Sequence, residues 1–391
     1  MQALENRLHN CYTTGVDILK EIVSALQSEE RVMLATIIST NGSTPASALS
    51  KMLVKNAGKE WLGSVGGGCV EGDVLQEAIR LYDSDIAKIL TFELNETNID
   101  QGLICGGSLD VLIEPLSKKD VELVNKLKTI RDDGDDCLLA TLIMHNGHVI
   151  AKTYLNINSD WMNGMMEWWI RVASPNSSKG DPTIQQLEET IAKAHHRNET
   201  QRITVEQGEL ILEPLSGMPH LIIFGGGHVS KYVSRAASMS GFRVTIIDDR
   251  PEYANAQRFP EADRTIAVDF SEAFQQVEIK PSTYIVIVTR GHRSDEDILA
   301  RVITSPAKYI GMIGSQRKVL TTYKHLAERG VSVEKLKRVY APIGIEIGAT
   351  TAEEIGVSIT AQLIAVRRGE ADAQKNKSDE MRKLIAQISQ I

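Results

Sequence analysis

The sequence predicts an α/β protein, with a doubly wound parallel sheet in its C-terminal part and one or two smaller α+β domains before it. First, 391 residues exceed the size of one ordinary hydrophobic core. Second, apolar strands alternate with helical segments from about residue 218 onward, and such alternation implies a parallel sheet. Third, the earlier part mixes helices with strands that are separated by turn residues. We therefore place domains at residues 1–117, 118–217 and 218–391.

The composition narrows the class of protein. It contains 42% hydrophobic and 24% charged residues, as a soluble globular protein does, and its formal net charge of -8 argues against a general nucleic-acid or anionic-membrane binder. No apolar run approaches the roughly 20 residues that span a bilayer. The start, M-Q-A-L-E-N-R-L-H-N-C-Y, has no basic stretch before an apolar core, so no signal peptide is expected. The four cysteines lack C-x-x-C spacing, which favours reduced thiols in the cytoplasm.

The first predicted domain alternates helix and strand signals. Apolar residues at helical spacing predict a helix over residues 16–28, and a β-rich apolar run predicts a strand over residues 32–39. The sequence N-G-S-T-P at residues 41–45 predicts a turn, because glycine tolerates positive φ and proline fixes its own φ. The remaining predicted elements are strands at 51–54, 88–93 and 109–116, and a helix at 72–82.

Residues 118–217 repeat this plan. L-A-T-I-I at Leu34 is echoed by L-A-T-L-I at Leu139, and D-V-L-I-E-P-L-S at Asp110 by E-L-I-L-E-P-L-S at Glu209. An internal duplication is one interpretation, and chance similarity between apolar strands is the other. The second copy lacks the cysteine and glycine motifs of the first, so the chemistry is expected in the first copy. Tryptophan-rich residues 161–170 are either a contact surface or core of this middle domain.

The C-terminal segment carries a dinucleotide-binding pattern. The strand L-I-I-F leads into Gly225 and Gly227, with Ser230 where a third glycine is expected. The next strand ends at Asp248 and Asp249, at the spacing of a ribose-binding acid. These features predict a Rossmann-like domain. Arg250 could instead meet a 2′-phosphate, which leaves NAD and NADP as alternatives. The predicted strands are 221–224, 243–247, 265–268, 284–289 and 309–313, the helices 229–239, 295–303 and 316–329, and a last helix follows a capping box of Thr351 and Glu354.

Other strand ends lead into the same predicted crevice, because ligands of such sheets lie beyond the carboxyl ends of the strands. T-R-G-H-R-S-D follows the fourth strand and I-G-S-Q-R-K the fifth. Amides and cationic side chains there predict an anion site. A helix cap is the alternative role for Asp295, and a solvated helix face the alternative for Arg317 and Lys318. The candidates are Arg290, His292, Asp295, Gly314, Ser315, Arg317 and Lys318.

An earlier triple glycine, in V-G-G-G-C-V-E-G-D-V at residues 65–74, lies outside the dinucleotide register. Cys69 follows it near a predicted helix start, where the helix dipole favours the thiolate form. Glu71 is close enough to act as acid, base or hydrogen-bond acceptor. Cys105 and Gly106, in L-I-C-G-G-S, form a similar glycine-rich setting. Two such thiols could hold a soft metal or a sulfur-bearing cofactor, and the alternative is that they are small buried residues.

Together these motifs resemble one family. V-G-G-G-C-V-E-G-D-V with C-G-G-S-L-D-V-L-I-E-P is similar to the amino-terminal domain of the xanthine dehydrogenase accessory (XdhC/CoxI) family. I-F-G-G-G-H-V-S, I-I-D-D-R-P-E-Y, Y-I-G-M-I-G-S-Q-R-K and A-P-I-G-I-E-I-G-A-T-T-A-E-E-I resemble its Rossmann domain. Residues 117–217 carry no motif of the family.

The resemblance implies an accessory protein that binds molybdenum cofactor (molybdopterin), protects it during sulfuration, and delivers it to an apo molybdenum hydroxylase such as xanthine dehydrogenase. A cysteine desulfurase that sulfurates the cofactor is an implied further partner, and a homodimer is left open. Such a protein is a cofactor chaperone rather than a turnover enzyme, and no catalytic residue is assigned. The alternatives are an NAD(P)-dependent oxidoreductase and a nucleotide-gated protein-interaction module.

The resemblance also distributes the candidate residues between two sites. Cys105 is the candidate molybdenum contact in the first. The second would hold a phosphate-bearing moiety, either the cofactor's own phosphate or dinucleotide or a separate NAD(P), with His228 a candidate anion contact or a packed histidine. The molybdopterin side comprises Gly67, Gly68, Cys69, Glu71, Cys105 and Gly106, and the Rossmann crevice Gly225, Gly227, His228 and Asp248.

Overall fold

A computed structural model describes residues 17–44, 46–94, 107–156, 168, 182–205 and 208–369. The chain divides into two compact units, Met1–Gly217 and Met218–Ile391. We call them the N-terminal unit and the C-terminal unit. No helix within the described ranges is long and apolar enough to cross a membrane.

The first half of the N-terminal unit is a five-stranded antiparallel sheet with two helices. Its strand order is β3-β2-β1-β5-β4, and the strands alternate a buried with a more exposed face, as antiparallel sheets do. The helix predicted from residue 72 begins at Gly68, because Gly66, Gly67 and Gly68 all adopt positive φ and bring the chain into the helix earlier. The elements are α1 Ile18–Ser28, β1 Arg31–Asn41, β2 Lys51–Lys55, β3 Glu60–Gly63, α2 Gly68–Leu81, β4 Lys88–Glu93 and β5 Ser108–Ser117.

The second half of this unit is a four-stranded antiparallel sheet in the order β7-β6-β9-β8. Of the tryptophan-rich residues 161–170, only Trp168 lies within the described residues, where it is 6% exposed and packs in the core of this half. The elements are α3 Val121–Asp132, β6 Cys137–Met144, β7 Val149–Asn156, α4 Pro182–Arg197, β8 Gln201–Val205 and β9 Gly208–Leu215.

The two halves share one strand arrangement. The order β2-β1-β5-β4 in the first corresponds to β7-β6-β9-β8 in the second. The registers also correspond, because Leu34 lies opposite Glu114 as Leu139 lies opposite Glu213. The echoed sequence segments therefore occupy equivalent places in the two sheets. Their origin by duplication stays a prediction.

Two buried ion pairs join the halves reciprocally. Lys51 Nζ lies 2.5 Å from Glu213 Oε1, and Lys152 Nζ lies 2.7 Å from Glu114 Oε2. The two lysines occupy equivalent positions, opposite Thr36 and Thr141 respectively. Each half thus gives its lysine to the other half's glutamate, which is the pattern of a two-fold interface. Both pairs border a cavity of about 40 Å³ lined mainly by leucines of both halves.

The C-terminal unit is the doubly wound domain that the sequence predicts. Its six strands are all parallel in the order β12-β11-β10-β13-β14-β15, which is the Rossmann order 3-2-1-4-5-6. Helices α6 and α7 pack on one face, and α5 and α9 on the other. The elements are β10 His220–Phe224, α5 His228–Met239, β11 Arg243–Asp248, β12 Arg264–Ala267, β13 Thr283–Ile287, α6 His292–Val302, β14 Tyr309–Met312, α7 Gln316–Glu328, α8 Val333–Lys337, β15 Val339–Tyr340 and α9 Ala352–Arg367.

The stability of this unit should decrease on acidification because of His220. Burial, with a smaller effect of the positive charges of Arg243 and Arg264, lowers the pKa of this histidine to about 4. The unfolded chain, with a histidine pKa of about 6.5, therefore binds the proton more readily between pH 6.5 and pH 4. Over that range the free energy of unfolding should fall by up to about 3 kcal/mol. Hydrogen exchange of peptides from residues 218–369 measures this loss.

The matched variants are His220→Gln and His228→Gln, since His228 is exposed. The first should flatten the pH dependence between pH 6.5 and pH 4, and the second should leave it unchanged. An unchanged slope in His220→Gln would contradict this assignment.

Candidate functional site

The triple-glycine loop of the N-terminal unit presents bare backbone at the start of α2. Gly66, Gly67 and Gly68 have φ of 123°, 72° and 59°, which a residue with a side chain adopts only with strain. A Cβ atom placed at Gly68 or Gly72 would meet nothing within 4 Å. The space beside this helix start is therefore open, and the glycines there serve no packing contact.

Glu71 holds this loop in place. Its Oε1 accepts hydrogen bonds from the Gly67 amide at 3.1 Å and from the Ser64 hydroxyl, and that hydroxyl in turn accepts from the Gly66 amide at 3.2 Å. A carboxylate in the first turn is also favoured by the helix dipole. In the structure Glu71 positions the loop, a role that its short distance from the glycines in sequence allowed.

Cys69 is exposed in the first turn of α2, next to backbone N–H groups that point out of the helix start. The other candidates of this site, Cys105 and Gly106, lie outside the described residues. Gly107, which follows them, is tightly packed: a Cβ there would lie 2.4 Å from the carbonyl oxygen of Asn41 and 2.5 Å from that of Ser43. Close approach of backbone to backbone therefore explains this glycine.

Three motif-bearing loops leave the first sheet at one end. Asn41, the last residue of β1, pairs with Ser108, the first residue of β5, and Ser108 also pairs with Glu93, the last residue of β4. At the same end β3 finishes at Gly63, opposite Met52 near the start of β2. The N-G-S-T turn, the triple-glycine loop and the chain at Gly107 are thus brought together by the antiparallel order of the strands.

In the C-terminal unit, the glycines after β10 have different roles. A Cβ at Gly225 would lie 2.5 Å from the Val288 carbonyl oxygen, and one at Gly226 would lie 2.1 Å from that of Tyr253. At Gly227, the N-cap of α5, a Cβ would meet nothing within 4 Å. The first two glycines let the loop pack on its neighbours, and the third leaves room for a ligand at the helix start. Ser230, in place of a further glycine, donates a hydrogen bond to the Gly225 carbonyl oxygen.

Asp248, the predicted ribose acid, is only 1% exposed and is already fully engaged. Its Oδ2 accepts from the Gly226 amide at 2.7 Å and from Arg250 Nη2 at 3.1 Å. Its Oδ1 accepts from the amide and Nε of Arg250, at 3.1 and 2.8 Å. Burial raises the pKa of this carboxyl, but the hydrogen bonds from Arg250 and Gly226 outweigh burial and lower it. The carboxylate therefore ties the glycine loop to the chain after β11.

The rim beside Asp248 carries charged side chains. The Arg250 guanidinium lies 3.6 Å from the centroid of the Tyr253 ring, a cation–π stack. Asp249 lies between two arginines, with Oδ1 3.6 Å from Arg250 Nε and Oδ2 3.5 Å from Arg290 Nη2. His228 is exposed in the first turn of α5.

The ends of β13 and β14 bring a second buried network to the same edge of the sheet. Asp295 is fully buried, and its Oδ1 accepts from the Thr289 amide at 3.1 Å and the Thr289 hydroxyl at 2.6 Å. Lys318 Nζ donates to Asp295 Oδ2. Lys318 crosses over Gly314, where a Cβ would lie 2.8 Å from the lysine Cδ. Asp295 thus stabilises the start of α6 and also fixes the lysine.

The other candidates of this edge occupy helix starts. His292 is the first residue of α6, three residues earlier than the predicted helix start, and its side chain is not among those that the structure describes. Ser315 is the N-cap of α7 and accepts from the Lys318 amide, while Arg317 is exposed. The sequence interpretation did not include Tyr253 or Thr289, although R-P-E-Y and V-T-R place both directly after strands. No group of three metal-binding side chains occurs among the described residues.

Two family models match the chain, at positions that agree with these units. Residues 221–363 match a model described as the XdhC Rossmann domain, and residues 25–93 match the XdhC and CoxI family.

Full-length relatives are also similar. The chain is 27% identical over 354 residues to a Bacillus subtilis protein named as a probable xanthine dehydrogenase component, covering 88% of this chain and 95% of the relative. It is 21% identical over 350 residues to the Escherichia coli molybdenum cofactor insertion chaperone PaoD, covering 90% and 88%. A crystal structure described as a xanthine dehydrogenase from Bacillus halodurans superposes with a TM-score of 0.68 at 23% identity, covering 93% of this chain and 99% of that one. That likeness concerns the fold.

Proposed function

The chain belongs to the XdhC and CoxI family, and from that premise we propose that it binds molybdenum cofactor and delivers it to a molybdenum hydroxylase such as xanthine dehydrogenase. The relative named as an insertion chaperone supports this role. The apo-enzyme is the proposed partner, with a sulfurating cysteine desulfurase as a second one, and the cytoplasm is the proposed compartment. A cofactor chaperone needs an open, pre-organised site that holds its cargo without reacting with it.

The observation that carries the proposal is the exposed Cys69 in an open glycine loop at the start of α2. A thiolate is a soft ligand, as molybdenum and its dithiolene sulfurs require. The N–H groups of the helix start favour an anionic cargo. Glu71 holds the loop from below through Ser64 and Gly67, so the thiol is presented on a rigid support. Cys105 is proposed as the second thiol, since it precedes Gly107 by two residues.

Gly72 supports the same site. It lies three residues after Cys69, on the same face of α2, and its Cβ position is open. Glycine in a helix interior costs about 0.5–1 kcal/mol relative to alanine, and nothing in the packing accounts for that cost. A bulky cargo lying against this face does.

In the C-terminal unit, the open position at Gly227 and the start of α5 suit a phosphate group. We propose that this crevice takes the phosphate-bearing part of a ligand, either the cofactor's own phosphate or nucleotide or a separate NAD(P). Asp248 and Arg250 shape the crevice, since they hold the glycine loop.

The test is anaerobic binding of molybdopterin released from a donor enzyme, measured by equilibrium ultrafiltration. Cys69→Ala and Cys105→Ala should each weaken binding about tenfold, the effect of one lost contact to a charged group. Cys137→Ala is the matched control, because burial raises the pKa of that thiol to about 12 and places it away from solvent. Wild-type protein that binds no cofactor would overturn the proposal, and steady hydride transfer from NAD(P)H to a substrate would favour an oxidoreductase.

A second pair of variants tests the helix face. Gly72→Leu should bind cofactor more weakly while its melting temperature stays equal or rises, because leucine favours the helix. Arg80→Leu is the control, about 12 Å further along α2, and should bind like wild type. Equal cofactor binding by both variants would exclude this face.

A further inference from the structure

The end of β11 offers the crevice of the C-terminal unit no free carboxylate from Asp248. In Rossmann domains that bind NAD, an acid at this strand end accepts hydrogen bonds from the ribose hydroxyls. Here a carboxylate with about four lone-pair positions receives four hydrogen bonds, one from Gly226 and three from Arg250. It is also 1% exposed. A ribose 2′-hydroxyl therefore finds no acceptor at this residue.

What the rim offers instead is positive charge. Arg250 is held by Asp248 on its edge and by the Tyr253 ring on one face, so its guanidinium is fixed before any ligand arrives. The Arg290 side chain is 65% exposed and flanks the same place. The Asp249 carboxylate lies between the two guanidinium groups, within 3.6 Å of each, and shows that the pair accommodates an anion.

We infer that this crevice takes a dinucleotide with a phosphate on its ribose, of the NADP type, in preference to one with a free 2′-hydroxyl. The inference rests on the proposed function only in that a phosphate-bearing ligand occupies the crevice. A ribose phosphate is a dianion with three acceptor oxygens, and guanidinium groups bind it with charge-assisted hydrogen bonds. It takes the position of the Asp249 carboxylate between Arg250 and Arg290, while the diphosphate lies at Gly227 and the start of α5. Asp249 is then an internal competitor of the ligand.

The test compares dissociation constants of NADPH and NADH for the full chain by titration calorimetry, since the two ligands differ by this phosphate alone. Wild type should prefer NADPH by about tenfold or more. Arg290→Gln should remove most of that preference by weakening NADPH binding, with NADH unchanged. Asp249→Asn should strengthen NADPH binding, because a competing charge is lost. Arg235→Gln makes the same charge change at an exposed position of α5 and should leave the ratio as it is.

Equal affinity for the two dinucleotides, a preference for NADH, or no binding of either would overturn the inference. Loss of NADH binding in Asp249→Asn would also overturn it, since Asp249 would then be reading the ribose hydroxyl. In competition, 2′-AMP should displace NADPH more strongly than 5′-AMP, which separates a ribose phosphate from any other phosphate. Molybdopterin binding by the same preparation is measured alongside, so that failure of this inference is distinguishable from failure of the proposed function.

Discussion

Replacing Glu114 with glutamine should lower the free energy of unfolding of the N-terminal unit by about 3–5 kcal/mol. Lys152 Nζ, in a side chain only 7% exposed, lies 2.7 Å from a glutamate that is 4% exposed. Removing the carboxylate leaves the ammonium group buried without its counter-charge, beside a mainly apolar cavity. Urea unfolding followed by tryptophan fluorescence reports this unit alone, because all four tryptophans lie before residue 170.

The reciprocal pair supplies the matched variant. Glu213→Gln strands Lys51 in the same way and should cost a similar amount, since the two pairs occupy equivalent positions. The double variant Lys152→Met/Glu114→Met removes both charges and should be close to wild type in stability, because apolar groups of similar volume often replace buried ion pairs at little cost. A loss below about 1 kcal/mol in Glu114→Gln, the value of a solvent-exposed pair, would show that the pair is hydrated.

These ion pairs also show where sequence reasoning stops in the N-terminal unit. The echoed segments at Leu34 and Leu139 indicate two similar strand sets, and the structure places them in equivalent registers. The role of Glu114 was beyond that pattern, because its partner Lys152 lies in the other half of the unit. Strand periodicity reports which face is buried, and it carries no information about which buried charge meets which.

In the C-terminal unit, the strand–helix alternation predicts the Rossmann sheet because each strand and helix reveals itself by its own periodicity. The role of Asp248 is different. Its spacing from the glycines is that of a ribose acid, and the structure fills its acceptor positions with Arg250 and Gly226. Spacing alone does not separate the two roles, since both need an acid at the end of the same strand. The exposed Cys69 was predictable as a candidate because the glycines before it signal an open loop.

The glycine loop after β10 should separate stability from ligand binding. In Gly226→Ala the new Cβ would lie 2.1 Å from the Tyr253 carbonyl oxygen, so the backbone must move and the bond from the Gly226 amide to Asp248 is lost. We expect a loss of about 3 kcal/mol or more from the C-terminal unit, since a backbone clash combines here with an unsatisfied buried carboxylate. Hydrogen exchange of peptides from residues 218–369 measures it.

Gly227→Val is the contrasting variant. Its Cβ position is open and its φ of -69° suits any residue, so the unit should lose no more than about 1 kcal/mol, the usual cost of an apolar N-cap. The valine side chain occupies the place where a phosphate would approach the start of α5, and dinucleotide or cofactor-phosphate binding should fall about a hundredfold or more. If Gly227→Val binds as tightly as wild type while Gly226→Ala unfolds, the glycines serve packing only, and the ligand of this unit lies elsewhere.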